Sequence, residues 1–249
     1  MEALFILTLA FAPGLFWLWY FFKKDKLEPE PLHRIRNCFF LGMAVVIPSA
    51  FVEVPFDRVH PHAALVIGAP IIEELAKFLV VRYTVFRSAE FDEPMDGVVY
   101  AAAVALGFAS LENVFYLFAE YHRGAHSFAL VTIFRAILTV PGHALWSSMW
   151  GYALGFAKFS DAKFRKKLIV EGLLLAMALH ALFNFLCLTG TILPLGMLVL
   201  VPIMWRMTSR RIKSALEQSP HVHFAAERTA ETAEGPPKGT AGARKDYRT

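Results

Sequence analysis

The residues of this chain that could do chemistry sit in its most apolar stretches. Glu73, Glu74 and Lys77 lie in AALVIGAPIIEELAKFLVVRY, and Glu112 and Asn113 in GVVYAAAVALGFASLENVFYLF. Arg135 and His143 share a third such stretch, and His180 and Asn184 a fourth, GLLLAMALHALFNFLCL. An ionised side chain at the centre of a membrane-crossing helix costs roughly 2.5–3.5 kcal/mol, so it must pair, neutralise or face water. Lys77 can meet Glu73 (i,i+4) or Glu74 (i,i+3) on a helix surface, and His180 and Asn184 stack as i,i+4 on one stripe. Arg135 can snorkel or pair with an acid. A carboxylate beside an imidazole can take a proton from water and aim that water at a carbonyl. A second His or an Asn amide can then hydrogen-bond the oxyanion. This chemistry needs no cofactor. The same groups could instead bind Zn2+, through Glu112, His143 and His180. Neither HExxH nor GxSxG occurs, so no short motif forces a metal or a serine nucleophile.

The elements that must carry these residues are membrane helices. The 249 residues are 56% hydrophobic, with a mean hydropathy of +0.46, and the excess lies in long runs. Seven apolar segments can be marked, at about 3–22, 38–55, 62–86, 97–119, 128–157, 168–188 and 190–207, most of them near the ~20 residues a bilayer demands. The expectation is an all-α, polytopic membrane bundle of about seven helices. The fifth segment is long and contains Pro141–Gly142, so it should be tilted, kinked or extended beyond the bilayer, with the helix broken at that pair. Basic residues follow the first, third, fifth and seventh segments, as at Lys23, Lys24, Arg82, Arg165 and Arg210, whereas the opposite loops hold only Arg58 and Arg123. This places the N-terminus outside and the C-terminus in the cytoplasm, in a cell-membrane protein with the bilayer as its surroundings. Lys23, Lys24 and Lys26 follow the first apolar run, the reverse of a secretory signal, so that run should stay as a span. Residues 1–213 form the transmembrane domain, and 214–249, rich in Ala, Thr, Gly and charge, read as a disordered cytoplasmic tail. Cys38 and Cys187 fall on opposite faces and read as packing residues. Basic residues interleaved with aromatics are missing outside the spans, which argues against nucleic acid as a partner.

Depth turns scattered polar residues into one candidate site. Glu73 and Glu74 lie about eleven residues from the outer end of their helix, His143 about fifteen, and Glu112 and His180 about eight; at 1.5 Å per residue these depths converge. The small residues 101–103, Ala105, Gly107, Ala109 and Ser110 let the fourth helix pack closely.

The runs LEPEP (27–31), EELAK (73–77), MDGVVYAAAVALGFASLENV (95–114), the segment from Arg135 through His143, and HALFN (180–184) resemble the PrsW family of bacterial membrane proteases. That family is similar to the CAAX-type and bacteriocin-processing membrane proteases. The likeness spans about residues 10–205. It implies that Glu73 and Glu74 fill a paired-glutamate motif, one of them activating water. Glu112, four residues after Phe108, stands where the CAAX-type relatives usually carry His. His143 fills a third motif, and His180 with Asn184 a fourth, whose implied role is oxyanion stabilisation. The best-known family member cuts a membrane-anchored anti-sigma factor on its extracytoplasmic side, so the implied partner is a membrane-anchored protein substrate.

The leading expectation is thus a membrane-embedded endopeptidase with catalytic residues Glu73, Glu74, Glu112, His143 and His180, supported by Asn184, Lys77, Asn113 and Arg135. Two other readings use the same residues. A non-catalytic scaffold would keep them as a polar core, and an ion or proton transporter would load its carboxylates, although no internal repeat supports the latter.

Overall fold

The computed structural model describes residues 1–189 and 193–222, and every regular element in them is helical. Helix α1 is Glu2–Phe22 and α2 is Leu32–Val59. Helix α3 covers 61–84 in three joined pieces, Pro61–Ala63, a π-helical turn Ala64–Gly68, and Ala69–Thr84. Helix α4 is Pro94–Tyr121. Helix α5, Ala125–Lys158, contains a second π-turn at Arg135–Thr139. Helix α6 is Ala162–Leu188, and α7, after a 3-10 turn Leu193–Gly196, is Met197–Glu217. Five of them, α1, α2, α4, α5 and α6, are long and apolar enough to cross a membrane. Helix α3 has similar apolar flanks but carries Glu73, Glu74, Lys77 and Arg82.

Helix α4 is the hub. Every residue from Pro94 to Ser110 is buried, and the helix packs against α1, α2 and α5. Its start is set by a capping box in which Asp96 Oδ2 accepts from the Glu93 N–H at 2.8 Å, followed by Pro94 in the first turn. Its small residues do what their size suggests. A Cβ on Gly107 would stand 1.9 Å from the Phe39 carbonyl oxygen, and one on Gly42 would stand 2.0 Å from that of Val104. Helices α2 and α4 therefore touch backbone to backbone, the contact that small residues permit between membrane helices.

Three expectations change. The seventh helix starts at Met197 rather than at 190 and runs ten residues past 207, to Glu217. Its charged half stays helical because Thr208, Ile212 and Ala215 continue a buried stripe. Thr208 pairs with Ser148 at 3.0 Å, and the Tyr152 hydroxyl donates to Ser214 at 3.2 Å. Order thus continues beyond 213, as far as 222; the rest of the expected tail lies outside the described residues, as does the turn at 190. Finally, α5 is not broken at Pro141–Gly142. It carries a π-turn immediately before that pair.

The end of the bundle where α1, α3, α5 and α7 finish is stitched by acidic side chains. Arg34 pairs with Glu90 at 3.2 Å, and Lys158 donates to the Ser88 carbonyl at 3.0 Å. Asp25, Glu30, Glu93 and Asp96 are buried there. The Tyr100 hydroxyl donates to Glu30, and the Ser219 hydroxyl to Glu93. His221 Nε2 lies 3.1 Å from Asp92 and 3.6 Å from Glu28. One oxygen each of Asp25, Glu30 and Glu93 has no hydrogen-bond partner. Burial pushes the Asp25 carboxyl up to about 8 and that of Glu30 up to about 7, and it raises Glu93 as well.

Candidate active site

The opposite end of the bundle holds the residues singled out by depth. On α3 the π-turn ends at Gly68 and Pro70 follows two residues later. On α5 the π-turn ends at Thr139 and Pro141 follows at the same interval. Proline lacks an N–H, so each pair loosens the backbone ladder one turn before the site residues. Side chains from other helices take carbonyls in both turns. Asn184 Nδ2 donates to Leu65 O at 2.9 Å, and Trp17 Nε1 to Ala136 O at 3.2 Å.

Lys77 is the hub of the cluster. Its Nζ lies 3.0 Å from Glu73 Oε2, 2.9 Å from Glu74 Oε1 and 3.1 Å from His143 Nδ1, and its side chain is fully buried. An ammonium has three protons to donate, and all three acceptors are present. Phe108 places its ring 4.1 Å below the same Nζ. The two adjacent glutamates divide. Glu74 is wholly buried, and its Oε2 accepts from Ser147 Oγ at 2.6 Å and from Trp150 Nε1 at 2.9 Å. Glu73 reaches the wall of an open cavity.

Glu112 and His143 meet from α4 and α5, with His143 Nε2 3.1 Å from Glu112 Oε2. Arg135 does not snorkel. It is 6% exposed, its Nη2 donates to Glu112 at 2.7 Å and its Nε to Asn113 at 2.5 Å. Asn113 in turn donates to the Ala10 carbonyl at 3.2 Å, which ties α1 to the site. His180 lies flat on Trp146, with ring centroids 4.2 Å apart and planes 15° from parallel. Its Nδ1 stands 3.4 Å from Glu74 Oε1 yet forms no hydrogen bond.

A cavity of about 320 Å3 opens over the cluster, lined by Glu73, Glu112, Arg135, His143, His180 and Asn184 among others. Four helices thus bring the expected residues to one place. Lys77, Glu74 and Asn113 stand behind its wall, and Asn184 spends one amide proton on the Leu65 carbonyl. Sequence reasoning missed Ser147, Trp150 and Glu53. Ser147 and Trp150 follow His143 at i+4 and i+7, a helical stripe that could have found them. Glu53 sits near the end of an apolar run and lines the cavity.

The model of the PrsW family, described as an intramembrane metalloprotease, matches residues 30–207. The chain belongs to the PrsW family. It is 36% identical over 218 residues to protease PrsW of Geobacillus kaustophilus, covering 84% of this chain and 92% of that one. It is 33% identical to protease PrsW of Bacillus subtilis, covering 84% and 95%. Protease PrsW of Clostridioides difficile is 27% identical, covering 85% and 90%. No solved structure matches the chain. This PrsW-family protein is accordingly a multi-pass protein of the cell membrane and a membrane protease.

The family description raises the question of a metal. Ligand atoms of Glu73, His143 and His180 lie within 4.8 Å of one another. Two imidazoles and one carboxylate are a donor set of catalytic zinc sites. The set differs from the expected one in having Glu73 where Glu112 was placed. Glu112 instead backs His143, as a carboxylate commonly backs a metal-binding imidazole. Three carboxylates, Glu73, Glu74 and Glu112, face two cations, Lys77 and Arg135, so one negative charge is left over. Donor type and spacing suit a divalent cation, and with Glu112 on Nε2 the ion would take His143 Nδ1 in place of Lys77.

Proposed function

We propose that this protein is a membrane-embedded endopeptidase that hydrolyses a peptide bond in a membrane-anchored protein, with Glu73, His143 and His180 as its reaction centre. The observation that carries the reading is the cavity, whose wall carries Glu73, His143 and His180 together while Lys77 and Glu74 stay buried behind it. A purely structural polar core would be packed shut.

Glu73 takes a proton from water, and the water oxygen bonds to the substrate carbonyl carbon. His180, and the amide proton that Asn184 has left, stabilise the oxyanion. As the C–N bond breaks, the proton passes from Glu73 to the leaving amine. Lys77 holds Glu73 in place, Glu112 orients His143, and the stack on Trp146 fixes the plane of His180. A zinc ion held by Glu73, His143 and His180 would supply Lewis acidity and lower the pKa of its water. With seven spans and the N-terminus outside, the cavity lies in the outer half of the bilayer. That depth suits a substrate cut on its extracytoplasmic side, such as an anti-sigma factor.

The test is cleavage of a single-span reporter in proteoliposomes by wild type, Glu73→Gln and His180→Ala. Both variants should accumulate in membranes and lose on the order of 10²–10⁴-fold in rate. Wild-type rates in both would end the assignment. Chelation, followed by zinc add-back and measurement of bound metal, separates the two ways of activating water. Activity that survives full chelation leaves the work to Glu73 alone.

A further inference from the structure

Four acidic side chains line the catalytic cavity, and three of them have a cation close by. Glu73 has Lys77 at 3.0 Å, Glu112 has Arg135 at 2.7 Å, and Glu120 has Arg123 at 2.7 Å. The fourth is Glu53, on α2. It has neither an ion pair nor a hydrogen bond among the described residues, and its Oε1 is buried without a partner. The nearest buried ammonium is not free to serve it, because all three protons of Lys77 are already engaged.

Asp57 lies one turn beyond Glu53 and has no ion-pair partner among the described residues either. Like charges at i,i+4 destabilise a helix when nothing positive lies between them. The two acids share a side pocket of about 210 Å3. This pocket has Glu53, Leu65 and Ala69 in common with the catalytic cavity, so the two adjoin across Glu53. Its other walls are Ala50, Val54 and Ala64. Small apolar walls ending in carboxylates suit a long alkyl stem with a cationic tip, the shape of Lys and Arg. A partly buried carboxylate without a counter-ion also discriminates well, since a substrate lacking the charge leaves it unpaired.

We propose that Glu53, backed by Asp57, forms a subsite for a Lys or Arg side chain of the substrate close to the bond that is cut. The cation enters through the catalytic cavity and settles between the two carboxylates. Its arrival completes the pattern of the other three acids and holds the neighbouring peptide bond over Glu73. This inference rests on the protease reading, and its test separates the two.

The probe is a set of single-span reporters whose juxtamembrane segment is a run of Ala and Ser. Each carries one Lys, Leu or Glu at successive positions. Wild type in proteoliposomes should cut the best Lys reporter about tenfold faster than its Leu counterpart, a difference of about 1.4 kcal/mol. In Glu53→Gln the Lys-to-Leu ratio should fall towards one. In Glu53→Lys the preference should turn to the Glu reporter, a gain that a damaged fold cannot produce. Asp57→Lys supplies the same reversal should the first variant fail to accumulate. Cleavage by wild type without a Lys preference, or a preference unchanged in Glu53→Gln, would overturn the subsite alone. Failure of wild type to cut any reporter would take down the protease reading, and the subsite with it.

Discussion

At one end of the bundle Glu73, Glu74 and Glu112 each lie within 3.0 Å of a cation, Lys77 or Arg135. At the other end Asp25, Glu30, Glu93 and Asp96 are buried as well, but they face hydroxyls, backbone N–H groups and one another. A buried carboxylate can stay ionised only beside a compensating charge. The first cluster has a counter-ion for its carboxylates and opens onto a cavity. The second holds protons and closes the ends of α1, α3, α4 and α7 together. The same residue types are arranged differently at the two ends, and what separates them is a cation in direct contact with each carboxylate of the first cluster, which Asp25, Glu30, Glu93 and Asp96 lack among the described residues.

The largest effect should come from removing the cation at the reactive end. Lys77→Met leaves Glu73 and Glu74 buried without their counter-ion, and breaking a buried pair from one side costs about 3–5 kcal/mol. Thermal unfolding in detergent should show a large loss of stability together with loss of cleavage. An unchanged midpoint would mean that the glutamates do not depend on Lys77.

A smaller effect should distinguish the proton-holding end. Asp25 and Glu30 bind protons in the folded chain up to about pH 8 and 7, against 3.8 and 4.5 for the free groups. Between those limits the folded state binds more protons than the unfolded one, so stability falls as pH rises. The contribution is fully present below about pH 4 and is lost as pH passes 7 to 8. The unfolding midpoint should drop between pH 5 and 8 at fixed salt, and the double variant Asp25→Asn, Glu30→Gln should flatten that slope. An equal slope in both proteins would remove the contrast between the two ends.

The smallest effect should be local. Ser219→Ala removes the hydroxyl that donates to Glu93, at a cost of about 1 kcal/mol. Cleavage should continue, because Ser219 lies at the far end from Glu73. A variant that lost cleavage but kept its melting point would show that the two ends communicate.

Much of the reactive end was legible in the sequence, because charge inside apolar runs is conspicuous and helix depth is simple arithmetic. The split between Glu73 and Glu74 was not. Neighbouring residues on a helix point about 100° apart, and which one meets the cavity depends on how the helix is rotated. That rotation is set by how residues 69–84 pack against α2, α4 and α6, which leaves no mark in hydropathy. Glu53 was missed because a single acid near a helix end resembles an ordinary interfacial residue. The other end was hardly legible at all. LEPEP (27–31) and the run from Met95 carried only a family likeness, and only the fold shows that Asp25, Glu30, Glu93 and Asp96 converge and that Ser219 and His221 come back to meet them.

The paired π-turns also bear on how such a protein can change over generations. A π-turn takes in one residue more than the regular helix it interrupts, so each works as a phase shifter between two halves of one rod. The half before it can be re-aimed, by gaining or losing a residue in the turn, while Glu73 or His143 keeps its bearing on the far side. Entry to the cavity and the chemistry within it can therefore diverge separately, although both are carried on the same continuous helices.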